Sequence, residues 1–156
     1  MTKKKLSFVS FEFKNNHFFA SLAIDDFIIS TSNQEKLLIK ASRIYEYSIK
    51  IMLINVSEIQ LFRNERKTIS ARKVWELGDL IFRLTHKFEN IALQIDGLYE
   101  HLVRDLNVNR KWLEKVITLR RYLPKKTLIP KNMSWGECEK GTRKVAERLL
   151  NKTNLG

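Results

Sequence analysis

Residues 95–124, IDGLYEHLVRDLNVNRKWLEKVITLRRYLP, carry the clearest helical pattern in the chain. The spacing of the apolar residues predicts a short helix over about residues 96–106 and a second helix over about residues 110–123. The triplet Asn107-Val108-Asn109 separates the two helices. Asn109 is placed to cap the second helix by accepting a backbone N–H bond, and Pro124 ends that helix. Two helices joined by so short a turn are typical of a helix-turn-helix.

The second predicted helix has two chemically different faces when its residues are placed at 100° intervals. The apolar face, which should pack into a core, holds Trp112, Leu113, Val116, Ile117, Leu119 and Leu123. The opposite face is polar and mostly basic: Arg110, Lys111, Glu114, Lys115, Thr118, Arg121 and Tyr122. A DNA-reading helix needs cations for phosphates and Arg, Lys or Thr for base edges. An αα-hairpin whose charges are only solvated would have the same periodicity.

Positive charge is concentrated around this stretch. The chain has 156 residues and a formal net charge of +12. Residues 101–131 hold nine Lys and Arg against two Asp and Glu, a local charge of +7, which leaves +5 for the other 125 residues. Such clustering favours a polyanionic partner, most simply nucleic acid, over a membrane surface or a merely solvated basic surface.

We therefore predict non-enzymatic binding of double-stranded DNA. Five side chains of the second helix are expected to face the groove: Arg110, Lys111, Lys115, Thr118 and Arg121. Five cations in and around the motif are expected to contact phosphates: Arg104, Arg120, Lys125, Lys126 and Lys131. Because each neutralised phosphate releases counterions, the affinity should fall steeply with salt. Helix-turn-helix proteins often bind paired half-sites as dimers, and the apolar N-terminal segment could provide that interface or dock to a larger complex.

The N-terminal half of the chain has a different pattern. Residues 6–13, LSFVSFEF, alternate as in a β-strand, and residues 17–24 and 27–30 could complete a small antiparallel sheet. A helix through residues 18–29 is the competing interpretation. A helical segment is predicted from about residue 34 to 61. A break near Asn55 is the alternative, since residues 49–56, IKIMLINV, could be a buried strand.

Two more helices are predicted on either side of the motif. Ser70 should cap a helix whose core face holds Val74, Leu77, Ile81 and Leu84. A connector over residues 86–94 follows, in which residues 88–93 could form a short helical turn. A last helix is predicted over about residues 135–150, with Ser134 as its cap. The predicted fold class is α+β and mostly α. A small β-rich N-terminal unit, residues 1–69, would serve protein interaction or dimerisation, and residues 70–156 would form a helical nucleic-acid-binding domain.

Residues 70–150 resemble the N-terminal helix-turn-helix domain of YhcG-like PD-(D/E)XK nucleases. Four blocks carry the resemblance, in the family's order: VWELGDLI at 74–81, LYEHL at 98–102, Leu113 with LRRYLP at 119–124, and MSW at 133–135. Glu100 replaces the family's glycine after the tyrosine, and Trp112 replaces the asparagine before Leu113. The resemblance implies a helical nucleic-acid-binding domain without catalytic residues, since no nuclease domain follows.

The chain offers little for catalysis or for metal binding. Glu12-Phe13-Lys14 fits half of the Mg²⁺-binding pattern of PD-(D/E)XK nucleases, but no aspartate precedes it; Glu65-Arg66-Lys67 has the same spelling in a predicted loop. The three histidines and Cys138 have no metal-ligand spacing. We expect no enzyme, no cofactor and no metal. The single cysteine and the absence of a long apolar run predict a cytoplasmic or nucleoid-associated protein without a membrane span.

The alternative function is that of a basic accessory subunit in a mobile-element, phage-defence or ribonucleoprotein complex. Residues 1–69 would then bind protein, and the basic helix would hold a nucleic-acid backbone without reading its sequence.

Overall fold

A computed structural model describes the backbone of residues 7–14, 17–23, 31–91, 93–95 and 97–154, and the side chains of residues 36–37, 39–91 and 97–152. The predicted third strand, residues 27–30, lies outside these ranges. The described chain is mostly α, as predicted. Its helices are α1 (Thr31–Asn64), α2 (Ala71–Asn90), α3 (Leu98–Leu106), α4 (Arg110–Tyr122), α5 (Trp135–Glu139) and α6 (Thr142–Asn154), with a 3₁₀ turn at Lys126–Leu128.

Short strands accompany the helices. Strand β1 (Ser7–Lys14) pairs antiparallel with β2 (His17–Ala23), with Phe11 opposite Ala20. Strand β3 (Leu93–Ile95), from between α2 and α3, pairs parallel with β1. The sequence pattern contained no sign of this long-range pairing. A separate β-rich N-terminal unit is therefore not supported.

Helix α1 is one continuous helix through Asn55, so the break considered there does not occur. The Asn55 side chain is only 7% exposed, and its Nδ2 donates to the Lys73 carbonyl oxygen at 3.5 Å. The inward face of α1 is apolar at steps of three and four residues: Ala41, Tyr45, Ile49, Met52, Val56 and Ile59. These residues share one core with the later helices. Residues on both sides of the predicted domain boundary at residue 70 thus pack into the same core. The division into two domains stays a prediction.

Helix α2 is longer than predicted. Its predicted core face is buried, but the helix continues through His86 to Asn90 where a connector was expected. Phe88, only 2% exposed, lies four residues after buried Leu84 and extends the core face by one turn. The predicted last helix is also corrected, because Lys140 and Gly141 divide it into α5 and α6. Ser134 caps α5 through a capping box with Glu137.

The two helices of the predicted motif are present at the expected positions. Asn107, in the left-handed conformation, ends α3, and the Asn109 side chain caps α4 by accepting from the N–H groups of Lys111 and Trp112 at 2.9 and 3.2 Å. Where the two helices meet, their apolar side chains are buried: Leu102 and Leu106 from α3, and Leu113, Val116 and Leu119 from α4. The end of α3 and the start of α4 are thus set by residues of the short turn between them, Asn107 and Asn109.

Helix α4 is held firmly against α2. The buried indole Nε1 of Trp75 donates to the carbonyl oxygen of Leu123 at 2.7 Å, which satisfies an acceptor at the end of α4. At Gly78 a Cβ atom would lie 2.8 Å from the Val116 carbonyl oxygen, so only glycine permits this approach. Helix α6 contacts α4 as well. The position of α4 is therefore set by packing.

Candidate nucleic-acid interface

One face of α4 points away from the core and is the candidate surface. Arg110, Lys111, Glu114 and Arg121 are exposed, while Lys115 and Thr118 are partly buried. The burial of α4 therefore follows the two faces expected from the periodicity. Some of the residues predicted to contact DNA form ion pairs within the protein, however, and others do not.

Arg110 has carboxylates on both sides. Its guanidinium lies 3.1 Å from Glu100 Oε1 and 3.5 Å from Glu114 Oε1. All three side chains are more than half exposed, so these pairs are weak and a phosphate could compete for Arg110. The two carboxylates nevertheless offset the positive charge of Arg110.

Thr118 is also partly engaged. Its hydroxyl donates to the Glu114 carbonyl oxygen at 2.8 Å, a common bond for threonine within a helix. The hydroxyl oxygen can still accept a hydrogen bond. Thr118 could therefore contact a base amino group as an acceptor.

Arg120 was predicted to contact phosphate, and the structure corrects this assignment. Its Nε lies 3.0 Å from Asp79 Oδ1, and only 12% of the side chain is exposed. The guanidinium also lies 4.0 Å from the centroid of the Phe82 ring, a cation–π distance. Arg120 thus joins α4 to α2 and is not available to a partner.

Two other predicted phosphate contacts, one exposed and one partly exposed, are in ion pairs. Lys126 Nζ lies 3.0 Å from Glu76 Oε1. Arg104 Nε lies 2.9 Å from Asp105 Oδ1, and its terminal nitrogen lies 3.0 Å from His101 Nδ1. Lys126 and Glu76 keep 43% and 39% of their side chains exposed, so solvent screens that pair. Asp105 is only 6% exposed, so Arg104 pairs with a largely buried carboxylate.

The remaining predicted cations have no ion pair among the described residues: Lys111, Lys115, Arg121, Lys125 and Lys131. They lie on α4 and the loop that follows it. Their charge is not offset within the described part of the protein, so they are the strongest candidates for binding an anion.

Further exposed cations lie outside the predicted set. On α6, Lys144, Arg148 and Lys152 follow one another at four-residue steps, with no ion pair in the described ranges. That spacing was visible in the sequence and places them along one side of the helix. Arg63, at the end of α1, lines a cleft with Lys111 and Lys115. No sequence signal connects Arg63 to α4, because the contact depends on how the helices pack.

The structure adds no other chemistry within its described part. No group of His, Cys, Asp and Glu side chains suited to a metal occurs among the described residues, and Lys67 pairs with Glu65 at 2.8 Å. The side chains of Glu12 and Lys14 lie outside the described residues. Burial raises the pKa of the fully buried Cys138 thiol to about 11, which keeps it protonated and unreactive. None of the helices described is both long and apolar enough to cross a membrane.

Comparison of the chain with protein-family models, curated proteins and solved structures finds no match. The resemblance to YhcG-like nucleases therefore depends on its motifs alone and stays a prediction.

Proposed function

We propose that this protein binds double-stranded DNA without catalysis, through the outward face of α4 and the loop after it. The observation that carries the proposal is the set of cations without ion pairs, within the described ranges, on a helix fixed by packing and by a cap. A helix in a groove must keep its position while its charges contact phosphates, and these features meet that need. Such a protein would act in the cytoplasm, at the nucleoid.

The composition of this surface favours nucleic acid over lipid. Among the described residues, the exposed large apolar side chains lie on α1, α2 and α3, and none belongs to α4. A helix that lies in a membrane surface needs an apolar face as well as its cations. The apolar face of α4 is buried in the core, with Leu113, Val116 and Leu119 between 0% and 1% exposed.

The experiment is a binding titration with a duplex of random sequence over a series of KCl concentrations, followed by selection from a random duplex pool. Tight binding that weakens steeply with salt, together with an enriched motif, would support a sequence reader. No binding at low salt would refute the proposal.

The second candidate function is to hold the nucleic-acid backbone without reading its sequence, as an accessory subunit. The observation that favours it is Glu114, which lies at the centre of the outward face and pairs with Arg110. A carboxylate there repels phosphate and offsets part of the positive charge that this face offers to a groove. Salt-dependent binding without an enriched motif would favour this candidate.

A further inference from the structure

A cleft of about 420 Å³ lies where the end of α1 meets the start of α4. Helix α1 contributes Val56, Ile59, Gln60 and Arg63, and the α3–α4 turn and α4 contribute Asn107, Val108, Asn109, Lys111, Trp112 and Lys115. Glu139, at the end of α5, completes the lining. The site thus combines residues that are far apart in the sequence.

The cleft carries an excess of positive charge. Arg63, Lys111 and Lys115 line it against one carboxylate, Glu139. None of the three cations has an ion pair among the residues that the structure describes, although Arg110, Arg120 and Lys126 all have one. Like charges that share a cleft repel one another, so an anion between them would remove an unfavourable interaction.

Neutral hydrogen-bond donors add to this charge. Gln60, Asn107 and Asn109, whose side chains carry amides, are among the lining residues. The indole Nε1 of Trp112, another lining residue, is buried and has no hydrogen-bond partner. An indole N–H can only donate a hydrogen bond, and a buried donor without an acceptor is unfavourable. The N–H groups of Lys111 and Trp112 are already bound by the Asn109 side chain, so side chains would hold the anion.

We propose that this cleft binds one phosphodiester group of a DNA strand, held jointly by Arg63, Lys111 and Lys115. The proposal rests on the proposed DNA binding and deepens it. It turns Lys111 and Lys115 from base-reading residues into phosphate ligands, and it adds Arg63 from a helix outside the predicted binding domain. A phosphate held at the start of α4 would fix the register of that helix on the duplex.

The test compares Arg63→Gln with the matched control Arg66→Gln, three residues further on and outside the lining. Duplex affinity is measured over a KCl series for both variants and the wild type. For Arg63→Gln we expect a loss of about fivefold and a salt slope smaller by about 0.9, the value for one lost phosphate contact. Arg66→Gln should keep the wild-type slope. Lys111→Gln combined with Arg63→Gln should lose less than the sum of the single effects, since both would hold one phosphate.

A structural role for Arg63 has to be separated from binding, because a cation in the last turn of α1 also favours the helix dipole. Thermal unfolding of Arg63→Gln and Arg66→Gln measures whether either substitution destabilises the fold. In addition, the indole N–H resonance of Trp112 should shift on adding duplex to the wild type, and not in Arg63→Gln. The indole of Trp75, bound to Leu123, is the internal reference.

The outcomes separate the two proposals. Wild-type affinity and salt slope in Arg63→Gln, together with weaker binding in Arg121→Ala, would overturn the cleft and leave DNA binding standing. Failure of the wild-type protein to bind duplex at low salt would overturn both.

Discussion

The Nε atom of Arg120 lies 3.0 Å from Oδ1 of Asp79, and this ion pair joins α4 to α2. Only 12% of the arginine side chain and 15% of the aspartate side chain are exposed. Removing either partner of such a buried pair is unfavourable, because water cannot solvate the charge that remains. The pair explains why a basic residue of α4 serves the fold and not a ligand.

Arg120→Met keeps the apolar stem of the side chain and removes its charge. We expect a loss of about 2–4 kcal/mol in the free energy of unfolding, since Asp79 would stay largely buried with less compensation. The control is Arg83→Met, which removes the other partner of Asp79. Arg83 is 71% exposed, so the expected loss is below about 1 kcal/mol. Equal losses in urea titrations of the two variants would contradict this role of Arg120.

Gly78→Ala should destabilise the contact between α2 and α4. The new Cβ would lie 2.8 Å from both the Val116 carbonyl oxygen and the Arg120 Cβ atom, which forces the helices apart. We expect a loss of about 1–3 kcal/mol although alanine is the better helix former. Gly141→Ala is the control, since nothing lies within 4 Å of its Cβ position. Thermal unfolding should show a clearly larger loss of stability for Gly78→Ala than for Gly141→Ala. A Gly78→Ala protein more stable than the wild type would disprove the close approach.

Asn109→Ala removes the cap of α4. Two backbone N–H groups lose their acceptor, so we expect a loss of about 1 kcal/mol. Ser70→Ala is the matched control, because Ser70 is at the N-cap of α2 but makes no side-chain cap hydrogen bond. Urea unfolding of both variants checks this. If the Ser70 variant were as unstable as the Asn109 variant, the cap would not be the cause.

The stability of the protein should fall at alkaline pH because of Tyr45. Burial raises the pKa of Tyr45 well above its usual range, and its hydrogen bond to Asp105 and the charge of that carboxylate raise it further. The unfolded chain ionises this phenol near pH ~10 while the folded protein retains the proton. The unfolded state then binds fewer protons, so stability is lost as the pH rises above about 10, by roughly 1.4 kcal/mol per pH unit.

Tyr45→Phe tests this dependence. The variant should be less stable than the wild type at pH ~8, because a hydrogen bond to a charged acceptor is worth about 1.5–3 kcal/mol. Between pH ~10 and ~11, however, it should lose about 1 kcal/mol less than the wild type. Urea titrations at these pH values give both numbers. Parallel losses in the two proteins would assign the alkaline transition to other groups.

Arg121 and Arg110 should differ in their effect on DNA binding. Arg121 is exposed without an ion pair in the described part of the chain, whereas Arg110 pairs with Glu100 and Glu114. Arg121→Ala should weaken duplex binding by about 1 kcal/mol, roughly fivefold, and leave thermal stability nearly unchanged. Arg110→Ala should have a smaller effect. The reverse order in an anisotropy titration would mean that Arg110, and not Arg121, is the main arginine contact of α4 with the DNA.

The sequence by itself determined the helical part of the fold where local signals were strong. The 3.6-residue period separated the faces of α4, because only one side of that helix can enter the core. Asn109 fixed the start of α4 because a cap needs only the next turn of the same helix. The core face of α2 followed from the same periodicity, although Phe88 extended it beyond the predicted end.

Tertiary structure alone decided which cations remain available to a partner. Arg120 meets Asp79 across 41 residues of sequence, and Arg63 reaches the cleft of Lys111 from the end of another helix. Charge pairing acts over a few ångströms, and such distances between remote residues depend on how whole helices pack. The sequence could therefore count the positive charges of this protein, but only the packing decided which of them form ion pairs within the fold and which have none among the described residues.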